Sequence, residues 1–336
     1  MAKENQRSIP FVYKLLAGII GLIGMFAVAM LSGAAEVAVK DIALAMFTDA
    51  SGDKISMIRD IRLPREIAAV FVGSALAVSG AIMQGITRNP LADPGLLGLT
   101  AGAGAALAAA MAFAPTLNYF ALTLVCFTGA AIGAILVFGI GAMKKGGLSP
   151  IRIVLAGAAV STFLYAVSEG IGILFKISKD VSMWTAGGLI GTTWGQLQVI
   201  VPFITLGIAI SLLLSRQLTI LSLSEEVAAG LGQKIKQIRS VLIAVIILLA
   251  GASVALVGNL AFIGLMVPHI VRAIVGTDYR FIIPMSAVSG AVLMLFADTL
   301  GRTVNSPYEA PVAAIVAMMG LPFFLLIARK GGKTFS

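Results

Sequence analysis

Few side chains in this 336-residue sequence could do chemistry, and their spacing narrows what that chemistry is. Cys126 is the single cysteine and His269 the single histidine, which argues against a disulfide framework or a dense Cys/His metal site. Asp298 and Arg302 stand four residues apart in an apolar stretch, the spacing that pairs side chains on one helix face, and structural pairing is the favoured role of Asp298. Glu169 lies in another apolar stretch without a local cation. It either lines a wet pathway or pairs with a neighbouring helix. His269 follows Pro268 and reads as a structural hydrogen bonder before a ligand. Arg59-Asp-Ile-Arg62-Leu-Pro-Arg65 concentrates three arginines. The tail Gly331-Gly332-Lys333-Thr334 ends like a phosphate loop, but Ile327 stands where its first glycine belongs and no strand precedes it, so nucleotide binding is rejected. His269, Glu169 and Asp298 fall on different spans. No catalytic constellation is visible, and no cofactor is expected.

The elements that position these residues follow from composition. The chain is 59% hydrophobic and 12% charged, too little charge to cover a soluble domain of this size. Its apolar stretches run continuously at the length that crosses a bilayer as a helix, without the alternation of barrel strands. Pro, Gly and charge clusters divide them into ten expected spans: 11–33, 64–85, 95–114, 119–142, 151–174, 197–214, 239–258, 262–276, 281–300 and 311–328. The eighth is short enough to be a partial span. The first run, at over 20 apolar residues, is longer than a secretory h-region and is read as a retained span. The fold class is therefore an all-α membrane protein, one transmembrane domain over 1–336.

With the N-terminus inside, 16 of the 24 Lys and Arg residues, Lys144, Lys145 and Lys333 among them, fall on inner segments, which places both termini in the cytoplasm. The charges sit between apolar runs and form no basic face, so the net charge of +9 does not indicate nucleic acid. The Arg59–Arg65 cluster lies on the side that insertion disfavours, so something else keeps it there. Gly98/Gly102 and Gly129/Gly133 have small-xxx-small packing spacing. Gly73–Gly80 resembles Gly251–Gly258 on spans of opposite direction, a weak sign of an inverted repeat. In the long inner segment 215–239, Ser222-Leu-Ser-Glu225 has capping-box spacing, a short helix runs toward Gly230, and Gly232 breaks it before the basic turn Lys234–Arg239. This element reads equally as a docking knob for a soluble partner and as an ordinary amphipathic loop. Asn89-Pro90 and Asp93-Pro94-Gly95 mark a rigid inner turn.

Arg62-Leu-Pro-Arg65, Gly80-Ala-Ile-Met-Gln84 and Asn89-Pro-Leu-Ala-Asp-Pro-Gly-Leu-Leu-Gly98 resemble the permease subunits of iron-siderophore and vitamin B12 ABC importers. The later blocks resemble them too: Phe262-Ile-Gly-Leu-Met-Val-Pro-His-Ile-Val-Arg272, Gly276-Thr-Asp-Tyr-Arg280, Ala297-Asp298 with Arg302, and Gly320-Leu-Pro-Phe-Phe324. The blocks keep family order from about residue 60 to the C-terminus. One departure is Pro311-Val-Ala-Ala314, where the family usually has Pro-Val-Gly.

The resemblance implies a type II ABC importer permease fold in the bacterial cytoplasmic membrane. It implies a second, similar or identical permease subunit, two cytoplasmic ATPase subunits that hydrolyse ATP, and an extracytoplasmic substrate-binding protein. Arg62, Arg65 and Arg302 match the family's outward arginines that pair with glutamates of the binding protein. Glu225, Glu226, Ala229, Gly230, Leu231 and Gly232 match its coupling helices against the ATPase. Met183, Trp184, Gly187 and Gly188 match the outer end of the pathway, near the gate. The expected substrate is a ferric siderophore, a hydroxamate type first, with cobalamin or haem as alternatives. The rival from another class is an ion-coupled secondary transporter using Glu169 or Asp298.

Overall fold

The computed structural model describes residues 9–33, 37–142, 150–306 and 308–330. Lys3, Arg7, Lys144, Lys145 and Lys333 of the charge bias, and the Gly331–Thr334 tail, lie outside the described residues. The described residues form fifteen α-helices: α1 Phe11–Leu31, α2 Val39–Phe47, α3 Asp53–Met57, α4 Leu63–Thr87, α5 Leu99–Phe113, α6 Tyr119–Ala142, α7 Pro150–Leu174, α8 Ser178–Thr185, α9 Trp194–Leu213, α10 Ser215–Leu221, α11 Glu225–Gly230, α12 Ile235–Val257, α13 Ile263–Val275, α14 Tyr279–Thr303 and α15 Val312–Lys330. Among the described residues there is no strand.

Each of the ten expected spans contains one helix. Seven helical stretches are long and apolar enough to cross a membrane, and α5, α13 and the apolar part of α15 are the shorter three. α13, with 13 residues, reaches only about 20 Å at ~1.5 Å per residue. It is the partial span, and its first turn lies beside Gly80 of α4, deep in the bundle. The spans omitted α2, α3 and α8, which are too short or too polar to register in a hydropathy window. The third span opens not as α-helix but as a 3-10 turn, Pro94–Leu97, because Gly98 takes φ +71° before α5 begins. α12 begins four residues before the expected 239, and its first turn carries the exposed Lys236.

α4 is the central helix, and its sequence shows why. Its face of Ala68, Ala69, Val72, Gly73, Ala75, Ala77, Gly80 and Ala81 is fully buried. Lipid supplies no hydrophobic drive between helices, so small side chains that admit a neighbouring backbone decide the packing. A Cβ on Gly73 would lie 2.3 Å from the Gly290 carbonyl of α14, and one on Gly80 only 1.9 Å from the Gly264 carbonyl of α13. The α5–α6 crossing uses the two expected glycine pairs, with Gly102 against Gly129 and Gly98 against Gly133. The proposed repeat is used asymmetrically, for Gly251 packs against Phe127 and Gly258 turns the chain at φ +70°. One hydrophobic cluster runs from Ala29 to Val316. Below, "outer" and "inner" name the two ends of the bundle in the orientation expected from the charges.

Candidate functional site

At the outer end, the chain widens into a π turn, Ile58–Arg62, immediately before α4. Such turns are frequent at functional sites. This one delivers Arg62, and the first turn of α4 adds Arg65 and Glu66. α14 presents Asp298 and Arg302 one turn apart, and the segment before α15 adds Glu309. The Arg65 guanidinium donates through Nη2 to Asp298 Oδ1 at 2.9 Å and through Nη1 to Glu309 Oε2 at 2.8 Å. Arg302 pairs with Glu66 through Nη2, and its Nε lies 3.0 Å from Asp298 Oδ2.

The expected Asp298–Arg302 pairing is therefore present, inside a larger cluster. Three arginines and three carboxylates balance one another there, which offsets the cost of taking each from water. Two of the guanidiniums also serve α1. Arg62 Nη1 donates to Met30 O at 2.8 Å, and Arg302 donates to Ala29 O and Ser32 O, carbonyls at the C-terminal end of α1 where orphan acceptors and negative dipole gather. Gly33 permits this approach, for a Cβ there would lie 2.9 Å from Arg62 Nη2.

Arg62, Arg65 and Arg302 are only 6%, 7% and 5% exposed. An internal network thus supplies a reason for the cluster that insertion disfavours. Sequence reasoning missed Glu66 and Glu309. Glu66 carried a signal, since it stands four residues after Arg62 on one face. Glu309 carried none, because its partner is 244 residues away.

Met183, Trp184, Gly187 and Gly188 line an outer cavity of about 310 Å³ with Thr192 and Gln196. Gly187 and Gly188 are in the φ > 0 region, and the Gly188 N–H donates to Val257 O at 2.8 Å, so this segment is seated on the end of α12. Glu169 is brought to neither this cavity nor the ion-pair cluster. It is exposed on α7. A second cavity of about 670 Å³ lies between the Asn89–Gly95 turn, α7 and the loop before α13, lined by Asn89, Ser161, Tyr165, Asn259 and Phe324 among others.

The Asn89-Pro90 turn is held by the Asn89 carboxamide, which accepts the Leu91 N–H at 3.0 Å, after Arg88 reverses the helix at φ 51°. Pro268 is buried within α13. His269, expected as a hydrogen bonder, instead packs edge-on against Phe323 at 5.7 Å, and its Nδ1 has no hydrogen-bond partner among the described residues. Gln84 bridges helices: its amide donates to Leu265 O, and Arg272 Nη2 donates to its Oε1 at 2.9 Å.

At the inner end, α10 and α11 form the helical loop. The cap of α11 is Ser224, not Ser222. Ser224 Oγ accepts the Val227 N–H at 3.1 Å, while Ser222 closes α10 by donating to Thr219 O. The capping-box register fails because Ser222 already belongs to the preceding helix end. α11 ends at Gly230, and Gly232 reverses the chain at φ +74°. Ala228 is buried, whereas Glu226, Ala229, Gly230, Leu231 and Gly232 face outward. Leu223 and Leu231 are 62% and 63% exposed, with Val227 between them. Among the described residues no group of three or more His, Cys, Asp or Glu side chains could hold a metal ion.

The FecCD transport family model matches residues 20–330. The chain belongs to the FecCD transport family. The iron(3+)-hydroxamate import system permease protein FhuB of Bacillus subtilis (strain 168) is 44% identical over 97% of this chain and 85% of its own length. The Fe(3+)-citrate import system permease protein YfmD of the same organism is 39% identical over 98% and 97%. The hemin transport system permease protein HmuU of Yersinia pestis is 40% identical over 81% and 83%. A solved structure described as an inward-facing conformation of a metal-chelate type ABC transporter superposes with TM-score 0.83 at 26% identity, covering 95% of this chain and 99% of that one. This FecCD chain is thus a multi-pass membrane permease of the ABC importer type.

Proposed function

We propose that the chain is the permease subunit of a binding-protein-dependent ABC importer carrying a ferric siderophore, of hydroxamate type first, into the cytoplasm. The observation that carries the reading is the 44% identity to a ferric hydroxamate permease over 97% of the chain. Two such chains, alike or paralogous, flank the path in the cytoplasmic membrane, with both termini inside. ATP is hydrolysed by two separate subunits seated on α11, and an outer binding protein delivers the chelate. The exposed leucines of the inner loop support the ATPase contact, since apolar side chains projecting from a polar face mark a partner surface. Docking of the binding protein involves the Arg62, Arg65 and Arg302 cluster. Glu309, whose side chain is 34% exposed, is the part of that cluster at the surface, and an incoming carboxylate reaches Arg65 by displacing it. Met183, Trp184, Gly187 and Gly188 form the outer gate, and the exposed face of α7 bearing Glu169 borders the path.

The test is uptake of radio-iron as ferric trihydroxamate into proteoliposomes holding the whole transporter. Uptake should require internal ATP, the ATPase subunits and the binding protein, and should persist under an ionophore. Uptake without the ATPases, abolished by the ionophore, would instead establish an ion-coupled transporter. Haem or cobalamin uptake in place of the hydroxamate would correct the substrate. Charge reversal at Arg62, Arg65 or Arg302 should weaken binding-protein docking in a salt-dependent manner. It is read on variants that still assemble with the ATPases, and undiminished docking there overturns the docking role.

A further inference from the structure

One contact at the inner end belongs to neither the path nor the docking cluster. Thr219 lies on α10, and its hydroxyl sits 3.0 Å from Asp278 Oδ1 and accepts the Tyr279 N–H at 2.9 Å. The single hydroxyl proton has two acceptors in reach, Asp278 and Ser215 O at 3.1 Å, and the carboxylate makes the stronger bond. Asp278 is the cap of α14: its Oδ1 accepts the Arg280 N–H at 2.9 Å, and its carboxylate also holds the Arg280 guanidinium. One hydroxyl therefore ties α10 both to the cap of α14 and to an orphan N–H of its first turn. Beneath it, a Cβ on Gly85 of α4 would lie 2.8 Å from Leu218 and 2.9 Å from the Tyr279 hydroxyl, so three helices meet with no room between them.

The joint has a reach in both directions. Toward the cytoplasm, only Ser222, Leu223 and Ser224 separate α10 from α11, and the Gln233 amide beyond α11 returns to Gln217 O of α10 at 3.0 Å. Outward, α14 continues as one helix of 25 residues to Thr303, with Pro284 in its second turn, and is clamped on α4 by the Gly73–Gly290 contact and by Ser74 Oγ donating to Ala287 O at 2.8 Å. The far end of that pair carries Arg65, Glu66, Asp298 and Arg302.

We propose that Thr219 is a positioning residue that joins the α10–α11 loop to the α4–α14 pair as one body, so that displacement at the inner loop is delivered to the outer ion-pair cluster. The inference rests on the reading that α11 faces the ATPase. Coupling between sites this far apart needs a rigid element with contacts at both ends, and α14 with α4 is that element here. Valine at 219 matches the shape of threonine but removes both bonds to the α14 cap, whereas serine retains them.

The experiment uses the whole transporter in proteoliposomes with the binding protein loaded with ferric trihydroxamate. Thr219→Val should keep ATPase subunits bound and basal hydrolysis unchanged, while stimulation by the loaded binding protein falls about fivefold or more. Thr219→Ser should restore it. Full stimulation in Thr219→Val overturns the proposal, as does a loss explained wholly by poorer assembly. A second measurement does not depend on that variant: Thr219→Cys with Asp278→Cys has lost the native tie and should transport poorly unjoined, and joining the two thiols with a short bifunctional reagent should restore transport. Arrest on joining would show that the two helices must separate, and would overturn the single-body inference. Failure of the underlying reading looks different. If Leu231→Asp leaves ATPase assembly intact, the loop is not the ATPase face, whatever Thr219 does.

Discussion

The two ends of the molecule use opposite physics. At the outer end, charge is concentrated and turned inward: Arg62, Arg65 and Arg302 are buried among Glu66, Asp298, Glu309 and the last carbonyls of α1. At the inner end, the α10–α11 loop turns apolar side chains outward, with Val227 exposed on the six-residue α11 and Leu223 and Leu231 exposed on either side of it. The ion pairs of the first end close within a single chain before any partner arrives. The second end is not closed in this way, since a helix of that length has too few internal hydrogen bonds to stand on its own. A closed electrostatic cluster suits a part that must hold its shape, and an open apolar loop suits a part completed by a partner.

The comparison breaks most sharply at Asp298, which serves Arg65 and Arg302 together. Asp298→Ala leaves two buried cations short of a partner and should cost about 3–5 kcal/mol, read as thermal unfolding of the purified transporter. An unfolding temperature within error of wild type would show the cluster to be open to water. Gly102→Leu comes next. A Cβ alone would lie 2.2 Å from Gly129 O, so the α5–α6 crossing must spread, at a cost of roughly 1–3 kcal/mol or more by the same measurement.

Leu231→Asp separates the two ends. It should leave unfolding unchanged, because the side chain is exposed, yet weaken ATPase co-purification by about tenfold, or ~1.4 kcal/mol. Ser224→Ala should loosen α11 by about 1 kcal/mol through loss of its cap, and appear as reduced transport per ATP hydrolysed with assembly retained. The smallest effect concerns pH. Hydrogen bonding from Arg280 holds the Asp278 carboxyl below the usual aspartate range. A depressed folded value means that its stabilisation is fully present above that range and is lost as pH falls through the folded value. Asp278→Asn should therefore flatten the acid limb of stability, and an unchanged limb would remove Asp278 from the joint.

Much of this was legible in particular residues. The span pattern followed from continuous apolar runs, and the α5–α6 crossing from glycines four apart. The inner helical loop could be read from Gly230 and Gly232, although its cap was misplaced by two residues because two serines compete for one helix start. His269 was misjudged, for nothing local announces the ring of Phe323 more than 50 residues on. Arg62 and Glu66, four apart, carried a trace of the outer cluster. Glu309 and the Thr219–Asp278 bond carried none.

What the sequence determined by itself was the class of solvent, the approximate bounds of the ten apolar helices, and the family, because these depend on hydropathy and motifs that are local in the chain. What only the tertiary structure decided was the state of the charges. Asp298, Arg65 and Glu309 come from segments far apart in sequence, and whether an arginine on the outer side is offered to a partner or satisfied within depends on which carboxylates the packing of α4 against α14 brings within 3 Å. That packing is set by Gly73 and Gly290 meeting backbone to backbone, a fit no single segment contains.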